Sequence, residues 1–503
     1  MWKYSTTVVW VLLLLLCPAR LHAQDRNTWA ALDARVGKIK RETGDRSGIA
    51  IAVVKDGRIV HQAYLGYADI SQGKQVDADT RFYIASATKP FTALMTLIRT
   101  ERGEWRDDMS MAGMFPDLNF NGFDASTVTM RDLLTHTSGL ENTPLVWALA
   151  YSGIHDAASR YQLVQMTQPL PDQERTGFRY GNVGYNLVSV WMEQRFQSTW
   201  QRQLEQLVLR PLGLRHTTAR ISDARRGRHL VAKPYSVLSE STVQPLYLEK
   251  SDATMHAAGG LMSTAPDLAR FLIVQLEDGR IDGQQLVPAG VIRKSHVPVA
   301  KTDGKPYQQF DRQGYAWGWY TGDYKGQQML HHFGGFAGFH AHLSFMPDAG
   351  IGLVVLSNEE YMSPKLTGLV ADYVYGALLG EDEVGARMDL GGEQLMAEMR
   401  ALAPKIAARR QAMSERAWQL SLPLQTYMGR YTHPLLGEMN VQKDDDSRPL
   451  ITWGALKSVA TAYERPDSVR VEFVPNSGNV VEFDVQGSDV VALRFEGMVF
   501  TKH

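Results

Sequence analysis

This sequence predicts an α+β fold followed by a small all-β barrel, on three observations. Strand-like runs stand at both ends of the segment up to about Gly380, and helical periodicities fill its middle. After Pro423 the chain turns to short alternating runs separated by turns. Strands at both ends with helices between fit one antiparallel sheet that combines both ends of a domain. Short strands at close spacing fit a barrel or sandwich.

The first 23 residues read as a secretory signal peptide outside the fold. Lys3 gives a positive start, Val8–Leu16 is an unbroken apolar run, and Leu21-His22-Ala23 is a cleavage tripeptide. The mature chain is therefore expected to begin at Gln24, in the periplasm or outside the cell. Cleavage also removes Cys17, the only cysteine, and with it any thiol nucleophile, disulfide or multi-cysteine metal site. Lipid anchoring at Cys17 is disfavoured, because the residue before such a cysteine is normally small and here it is Leu16. The leader's apolar run is too short to span a bilayer, and no later stretch is long and apolar enough, so no stable membrane insertion is expected.

From residue 24 to 380 the elements follow in order. Trp29, Leu32, Val36 and Ile39 recur at helical spacing and predict an opening amphipathic helix. Ile49–Lys55 and Arg58–Tyr67, joined by Asp56-Gly57, predict a hairpin. Helices are predicted over Pro90–Glu104, Val128–Leu134, Gly184–Gln197 and Ala265–Glu277. The last is opened by Thr264, with Pro266 and Asp267 in its first turn. Strands return at Tyr315–Thr321, Gly338–Phe345 and Ile351–Ser357. Glu381–Gln419, charged and helical in pattern but interrupted by Pro404, is expected to be a connector. Residues 420–503 are expected to form the barrel, with strands at Tyr427–Tyr431, Glu438–Gln442, Leu450–Trp453, Ser468–Phe473, Val480–Val485, Val490–Phe495 and Met498–Thr501.

Composition narrows the partners. The chain is 44% hydrophobic and 21% charged, which is ordinary for a globular protein. Its 53 basic and 54 acidic residues leave no field to draw nucleic acid or anionic membrane. A small-molecule or peptide substrate is the expected partner, with no cofactor; oligomeric state is not legible.

Chemistry is sought in three short motifs. A lysine three residues after a serine on a helix shares its face and can take its proton, making a weak nucleophile effective. Two such pairs occur, Ser71-Gln72-Gly73-Lys74 and Ser86-Ala87-Thr88-Lys89. Ser71 sits in a Gly-containing turn, where Lys74 has no helical reason to face it. Ser86 follows the apolar run Phe82-Tyr83-Ile84-Ala85 and opens an apolar helix through Phe91, Leu94 and Ile98, with Pro90 fitting its first turn. At such a helix start, N–H groups and dipole favour an oxyanion. Tyr180-Gly181-Asn182 offers a phenol as proton carrier and an amide to orient substrate. His332-Phe333-Gly334-Gly335, expected to enter the strand Gly338–Phe345, offers glycines against which a substrate can lie and an N–H for an oxyanion hole. The plain alternatives are a helix cap, a packed loop tyrosine and a glycine-rich turn.

In this order the three motifs resemble those of the serine β-lactamase and penicillin-binding-protein superfamily. Leu133-Leu134-Thr135-His136-Thr137-Ser138-Gly139-Leu140, Pro211-Leu212-Gly213-Leu214 and Ala258-Gly259-Gly260-Leu261-Met262-Ser263-Thr264 resemble its class C-like, CubicO-type branch of β-lactamases, esterases and D-aminopeptidases. The resemblance implies a β-lactamase-like domain, an antiparallel sheet flanked by helices with a helical subdomain. The C-terminal part is similar to the lipocalin-like domain of several such hydrolases. It implies Ser86 as acylated nucleophile, Lys89 as its proton partner and Tyr180 as second acid/base. Asn182 is implied to position Lys89 and substrate, His332 and Gly334 to bind substrate, and Ser86 and Gly335 N–H to form the oxyanion hole.

The third motif departs from the commoner Lys-Thr-Gly, whose ammonium and hydroxyl hold a substrate carboxylate. His332 and Phe333 stand there instead, as histidine does in esterase and aminopeptidase relatives. The expected activity is thus a secreted hydrolase of a peptide, amide or ester. The alternatives are a β-lactamase or D-Ala-D-Ala carboxypeptidase, and a silent binder of cell-wall fragments. A further rival takes His331, His332, His340 and His342 as a three-histidine zinc site. No carboxylate lies in that cluster before Asp348, and no metal is expected there. His136 is expected to be structural.

Overall fold

The computed structural model describes residues 27–226, 229–304 and 310–503; the signal peptide and Cys17 lie outside them. The opening helix spans residues 27–43, and Trp29, Leu32, Val36 and Ile39 are all buried along its inner stripe. Next come β1 (Ile49–Lys55) and β2 (Arg58–Leu65). Asp56 and Gly57 between them both take positive φ, 48° and 70°, the twist that a two-residue hairpin needs.

The sheet is completed late in the chain by β3 (Ala300–Lys301), β4 (Gly314–Tyr315), β5 (Tyr320–Tyr324), β6 (Gln327–Phe336), β7 (Phe339–Met346) and β8 (Ile351–Ser357). All neighbours are antiparallel, in the order β3-β4-β5-β6-β7-β8-β1-β2. β1 pairs with β8 along its whole length, from Ile49 opposite Ser357 to Lys55 opposite Ile351, so both ends of the domain do meet in one sheet. Alternation sorts β1 between two cores: Ala50, Ala52 and Val54 face one, Ile49, Ile51 and Val53 the other. The first core takes α3 (Ala265–Leu276), after α1 (Lys89–Glu101) and α2 (Val183–Phe196) in the intervening helical region. The second takes the opening helix and α4 (Ser363–Leu378).

Four sequence expectations change here. The run Tyr315–Thr321 is split into β4 and β5, because Gly318 (φ 83°) turns the chain and Ala316 N–H donates to the Trp319 carbonyl. His332-Phe333-Gly334-Gly335 does not lead into the next strand but lies inside β6, and the turn falls at Ala337-Gly338. Adjacent histidines and glycines hide a strand, since neither is a β-former. Pro404 does not interrupt the connector: α5 (Val384–Ser414) runs through it. Pro404 lies in the solvent-exposed half of α5, where the carbonyl it leaves unpaired is cheap to hydrate. The other half is core rather than linker, with Met388, Leu395 and Met396 buried and Gly392 against Ile39.

The C-terminal sheet has nine strands, two more than the sequence pattern marks, at Leu456–Val459 and Thr461–Ala462. Each strand is antiparallel to its neighbours, and the first, Gly429–His433, pairs with the last, Met498–Lys502. The two edge strands are the two extra ones, separated in sequence by Ala460 alone, so the sheet curls into a nearly closed barrel. It packs against the helical region: Trp147 meets Trp453 and Phe495 at ring distances of 6.0 and 4.9 Å, and Ala455 N–H donates to the Ser152 carbonyl. Gly454 is required there, because a Cβ would stand 2.2 Å from that same carbonyl oxygen. No helix of the described residues is long and apolar enough to cross a membrane. Trp147→Ala is expected to cost about 3–5 kcal/mol, measured by urea denaturation, with the barrel's tryptophan emission changing first.

Candidate active site

The site begins where a short strand ends. Phe82–Tyr83 pairs with Met262–Ser263, and Ile84 N–H donates to the Leu261 carbonyl. Ala85 then takes φ 44°, unusual for a residue with a Cβ, and the kind of backbone strain found at functional sites. The kink leads into a 3-10 turn over Ala85–Thr88 and from there into α1, with Pro90 in the first turn. Phe91, Leu94 and Ile98 are buried, which fixes the helix and therefore the directions of Ser86 and Lys89. Ser71, by contrast, spends its hydroxyl on Asp69 in an outer turn, and Lys74 is exposed.

Lys89 is fully buried. Its Nζ lies 3.0 Å from Ser86 Oγ, 2.9 Å from Asn182 Oδ1 and 3.0 Å from the Ala258 carbonyl oxygen. Burial holds its pKa well below the usual lysine range. Asn182 stands at the start of α2 yet makes no cap with its side chain; its oxygen goes to Lys89 instead. α2 can approach because Gly184 has no Cβ, which would sit 1.9 Å from the Leu133 carbonyl oxygen. The Ala258–Leu261 segment is held to α1 by Thr88 and Thr92, which bond Leu261 N–H and the Ala257 carbonyl.

Tyr180 covers this group. Lys89 Nζ lies 4.7 Å from its ring centre, the ring stacks on Tyr320 at 5.9 Å, and 38% of the residue stays exposed to the cleft. Burial of its hydroxyl raises the phenol pKa, against a smaller opposing effect of its hydrogen bond with Ser86. His136 sits beside it, its ring 4.7 Å from that of Tyr180, and Nδ1 accepts the Gly181 N–H.

β6 closes the other side. Gly334 lies against the turn of Ser86, where a Cβ would meet the Ile84 carbonyl oxygen at 1.9 Å, whereas a Cβ on Gly335 would enter open space. His332 and Phe333 point to opposite faces, as strand alternation requires. His332 lines the cleft with Ser86 and Tyr180; its Nδ1 lies 2.9 Å from the Phe333 carbonyl, and burial first, then Lys89, pushes its pKa well below 6.5. Phe333 also borders the cleft, but its ring stacks on His331 and His342. The four histidines of β6 and β7 therefore do not converge as zinc ligands: His332 is on the other face, and His342 bonds Ser344.

The cleft, about 680 Å³, contains groups that no motif announced. Arg312 enters from the segment before β4, its guanidinium 3.9 Å over the Tyr320 ring and its Nε donating to His331. Glu360 lies beyond β8 and accepts from Gly338 N–H and from Asn476 Nδ2. Asn476 belongs to the barrel, whose residues 474–477 form one wall of the cleft. Arg312, Glu360 and Asn476 stand singly in loops, and only the pairing of remote segments brings them here.

A sequence-family profile described as Beta-lactamase matches residues 31–373. The unguisins hydrolase ungD of Aspergillus violaceofuscus is 28% identical over 348 residues, 63% of this chain and 59% of that protein, so the match spans less than two thirds of that relative. The unguisins hydrolase ungD' of Aspergillus campestris is 25% identical over 82% of this chain and 78% of its own length. Penicillin-binding protein 4* of Bacillus subtilis is 26% identical over 62% and 68%. The octameric penicillin-binding protein homologue from Pyrococcus abyssi superposes with a TM-score of 0.58 at 21% identity, covering 94% of this chain and 99% of that one; the fold is shared over nearly the whole chain. Gly334→Ala is expected to lose about 1–3 kcal/mol of stability, because the obstructing atom is backbone. Gly335→Ala should melt as the native protein does, and thermal denaturation of the pair checks the contrast.

Proposed function

The chain belongs to the beta-lactamase family, and from that premise we propose that it is a secreted serine hydrolase that cleaves a peptide, amide or ester through an acyl-enzyme on Ser86. The observation that carries this reading is the surroundings of Lys89 Nζ. The oxygens of Asn182 and Ala258 can only accept, so Nζ donates to both. A neutral amine then has one lone pair left, directed at the Ser86 hydroxyl 3.0 Å away. Burial lowers the lysine pKa and favours that neutral form.

The steps follow. Ser86 Oγ bonds to the substrate carbonyl carbon and gives its proton to Lys89 Nζ. The carbonyl oxygen becomes an oxyanion, taken by the N–H groups of Ser86 and Gly335. The bond to the leaving group breaks, and Tyr180, kept a phenol by burial, supplies the proton that group needs. Water then attacks the ester on Ser86, giving one proton to Tyr180 and its OH to the acyl carbon; the acid departs, and Ser86 Oγ takes back from Lys89 Nζ the proton it gave, which restores the neutral amine. Asn182 holds Lys89 through Oδ1 and keeps its Nδ2 for the substrate amide. His332 and Gly334 shape the floor. The paired Ser86 and Lys89 speak against a silent binder.

His332, with its pKa lowered, carries no charge at neutral pH to meet a carboxylate, which favours neutral esters and amides. A second reading, a β-lactamase or carboxypeptidase, is favoured by Arg312, whose guanidinium is the charge that the third motif lacks. The Bacillus relative is named a penicillin-binding protein and the Aspergillus relatives hydrolases, so the names fit both.

Ser86→Ala is expected to abolish turnover and Ser71→Ala to leave it unchanged. Lys89→Arg, which cannot become a base, should lose about 10²–10⁴-fold in kcat. In the native enzyme kcat/KM should fall as pH drops through the lowered Lys89 pKa, because protonation fills the lone pair. A near-normal rate for Lys89→Arg removes the lysine from the mechanism. Arg312→Gln separates the substrate classes. If Arg312 holds a carboxylate, the variant should lose about 10- to 100-fold on a cephalosporin and nothing on a neutral aryl ester. Efficient native turnover of the ester with negligible cephalosporin hydrolysis supports the first reading.

A further inference from the structure

A cluster of ligating side chains lies away from the cleft, around the turn that precedes Phe82. Asp79, His216 and His229 bring one ligand atom each to within 4.8 Å of one another. His216 Nδ1 is 3.5 Å from Asp79 Oδ1, and His229 Nδ1 is 4.0 Å from Asp79 Oδ2. The second distance is too long for a hydrogen bond, and the first makes none that leaves His216 Nδ1 satisfied: it is buried and without a hydrogen-bond partner. Bonds of about 2.0–2.1 Å from a tetrahedral ion imply ligand atoms about 3.3 Å apart. Contraction by a few tenths of an ångström to about an ångström and a half would seat one.

The backbone builds this convergence. Arg81 and Val231 form a parallel bridge, with Arg81 N–H donating to the Leu230 carbonyl and Ala232 N–H to the Arg81 carbonyl. Asp79 and His229 each stand two residues before a bridge partner, and so fall side by side. Arg81 Nε also donates to the His216 carbonyl, while His216 N–H donates to Asp267, clamping that residue from both sides. Within the turn Asp77 takes the Thr80 hydroxyl and the Asp79 N–H, which leaves the Asp79 carboxylate to face the imidazoles. The Arg81 guanidinium does not fill the space, since it is turned to the carbonyls of His216 and Ala224.

We propose that Asp79, His216 and His229 form a binding site for a divalent metal of the zinc type, two imidazoles and one carboxylate with a fourth position open to water. Two nitrogens and one oxygen as donors suit zinc rather than calcium or magnesium, which take oxygen sets. The ion ties the 77–80 turn to the loops at His216 and His229. That turn leads directly into the Phe82–Tyr83 strand and Ser86, so the site acts as a clip on the nucleophile's lead-in.

The test uses untagged mature protein stripped with a chelator and titrated with zinc chloride by calorimetry. Wild type is expected to bind one equivalent, with a melting temperature that rises with zinc concentration. His229→Ala and Asp79→Asn should each weaken binding at least tenfold and lose the zinc-dependent rise. His503→Ala, which removes an exposed histidine elsewhere, should behave as wild type. Cobalt substitution should give the intense visible bands of a four-coordinate ion in wild type and His503→Ala, and not in His229→Ala or Asp79→Asn. No stoichiometric binding by wild type, or binding by both variants as tight as wild type, overturns the proposal.

Discussion

Lys89 Nζ is buried against three oxygens that come from three distant parts of the chain, and much of the molecule is arranged around that fact. Ser86 comes from the same helical start, Asn182 from the head of α2, and Ala258 from the segment held along α1. A buried ammonium is costly unless paired, and among the described residues the hydrogen-bond partners of Nζ include no carboxylate. Burial lowers its pKa and so favours the neutral amine, and the geometry sets beside it two oxygens that only accept and one hydroxyl that can donate. Gly184 and Gly334 exist for the same reason: each lets a backbone come within contact distance of the helix start or its neighbours, where any Cβ would collide with a carbonyl. The strained Ala85 completes the arrangement.

The sheet explains how two very different sides of one strand serve the site. On β6, His332 faces the cleft while His331 and Phe333 face the second core, where they pack on Phe310 and His342. A substitution at Phe333 therefore acts through the core beneath the strand as much as through the cleft. The barrel is joined to this unit on two sides: Trp147 and Ser152 anchor it to the helical region, and its residues 474–477 reach the cleft. Through Asn476 and Glu360 the barrel is hydrogen-bonded to the strand turn at Gly338, so its position bears on the shape of the substrate cleft.

Local patterns made much of this legible. The Asp56-Gly57 hairpin, the stripe Trp29, Leu32, Val36 and Ile39, and the Thr264 cap, which does accept the Asp267 N–H, are written in a few adjacent residues each. That Lys89 stands beside Ser86 while Lys74 is exposed and Ser71 bonds Asp69 was legible for the same reason, since one serine stands before an apolar helix and the other in a glycine turn. β6 was not legible, because its polar and glycine-rich centre mimics a turn. The strands flanking Ala460 are too short to show alternation, and Pro404 marks a break only where the helix has no exposed side to relieve it.

The sequence by itself determined the elements whose period is written in adjacent residues, the meeting of the two chain ends in one sheet and the spacing that sets Lys89 beside Ser86, because helical and strand periods fix such neighbours within a few residues. The tertiary structure alone decided the remainder: that Asn182 and Ala258 meet Lys89, that Arg312 and the barrel's Asn476 share the cleft, and that Asp79, His216 and His229 converge. These contacts join segments tens to hundreds of residues apart. No local propensity encodes them, and they arise only when burial of the two cores brings the segments together.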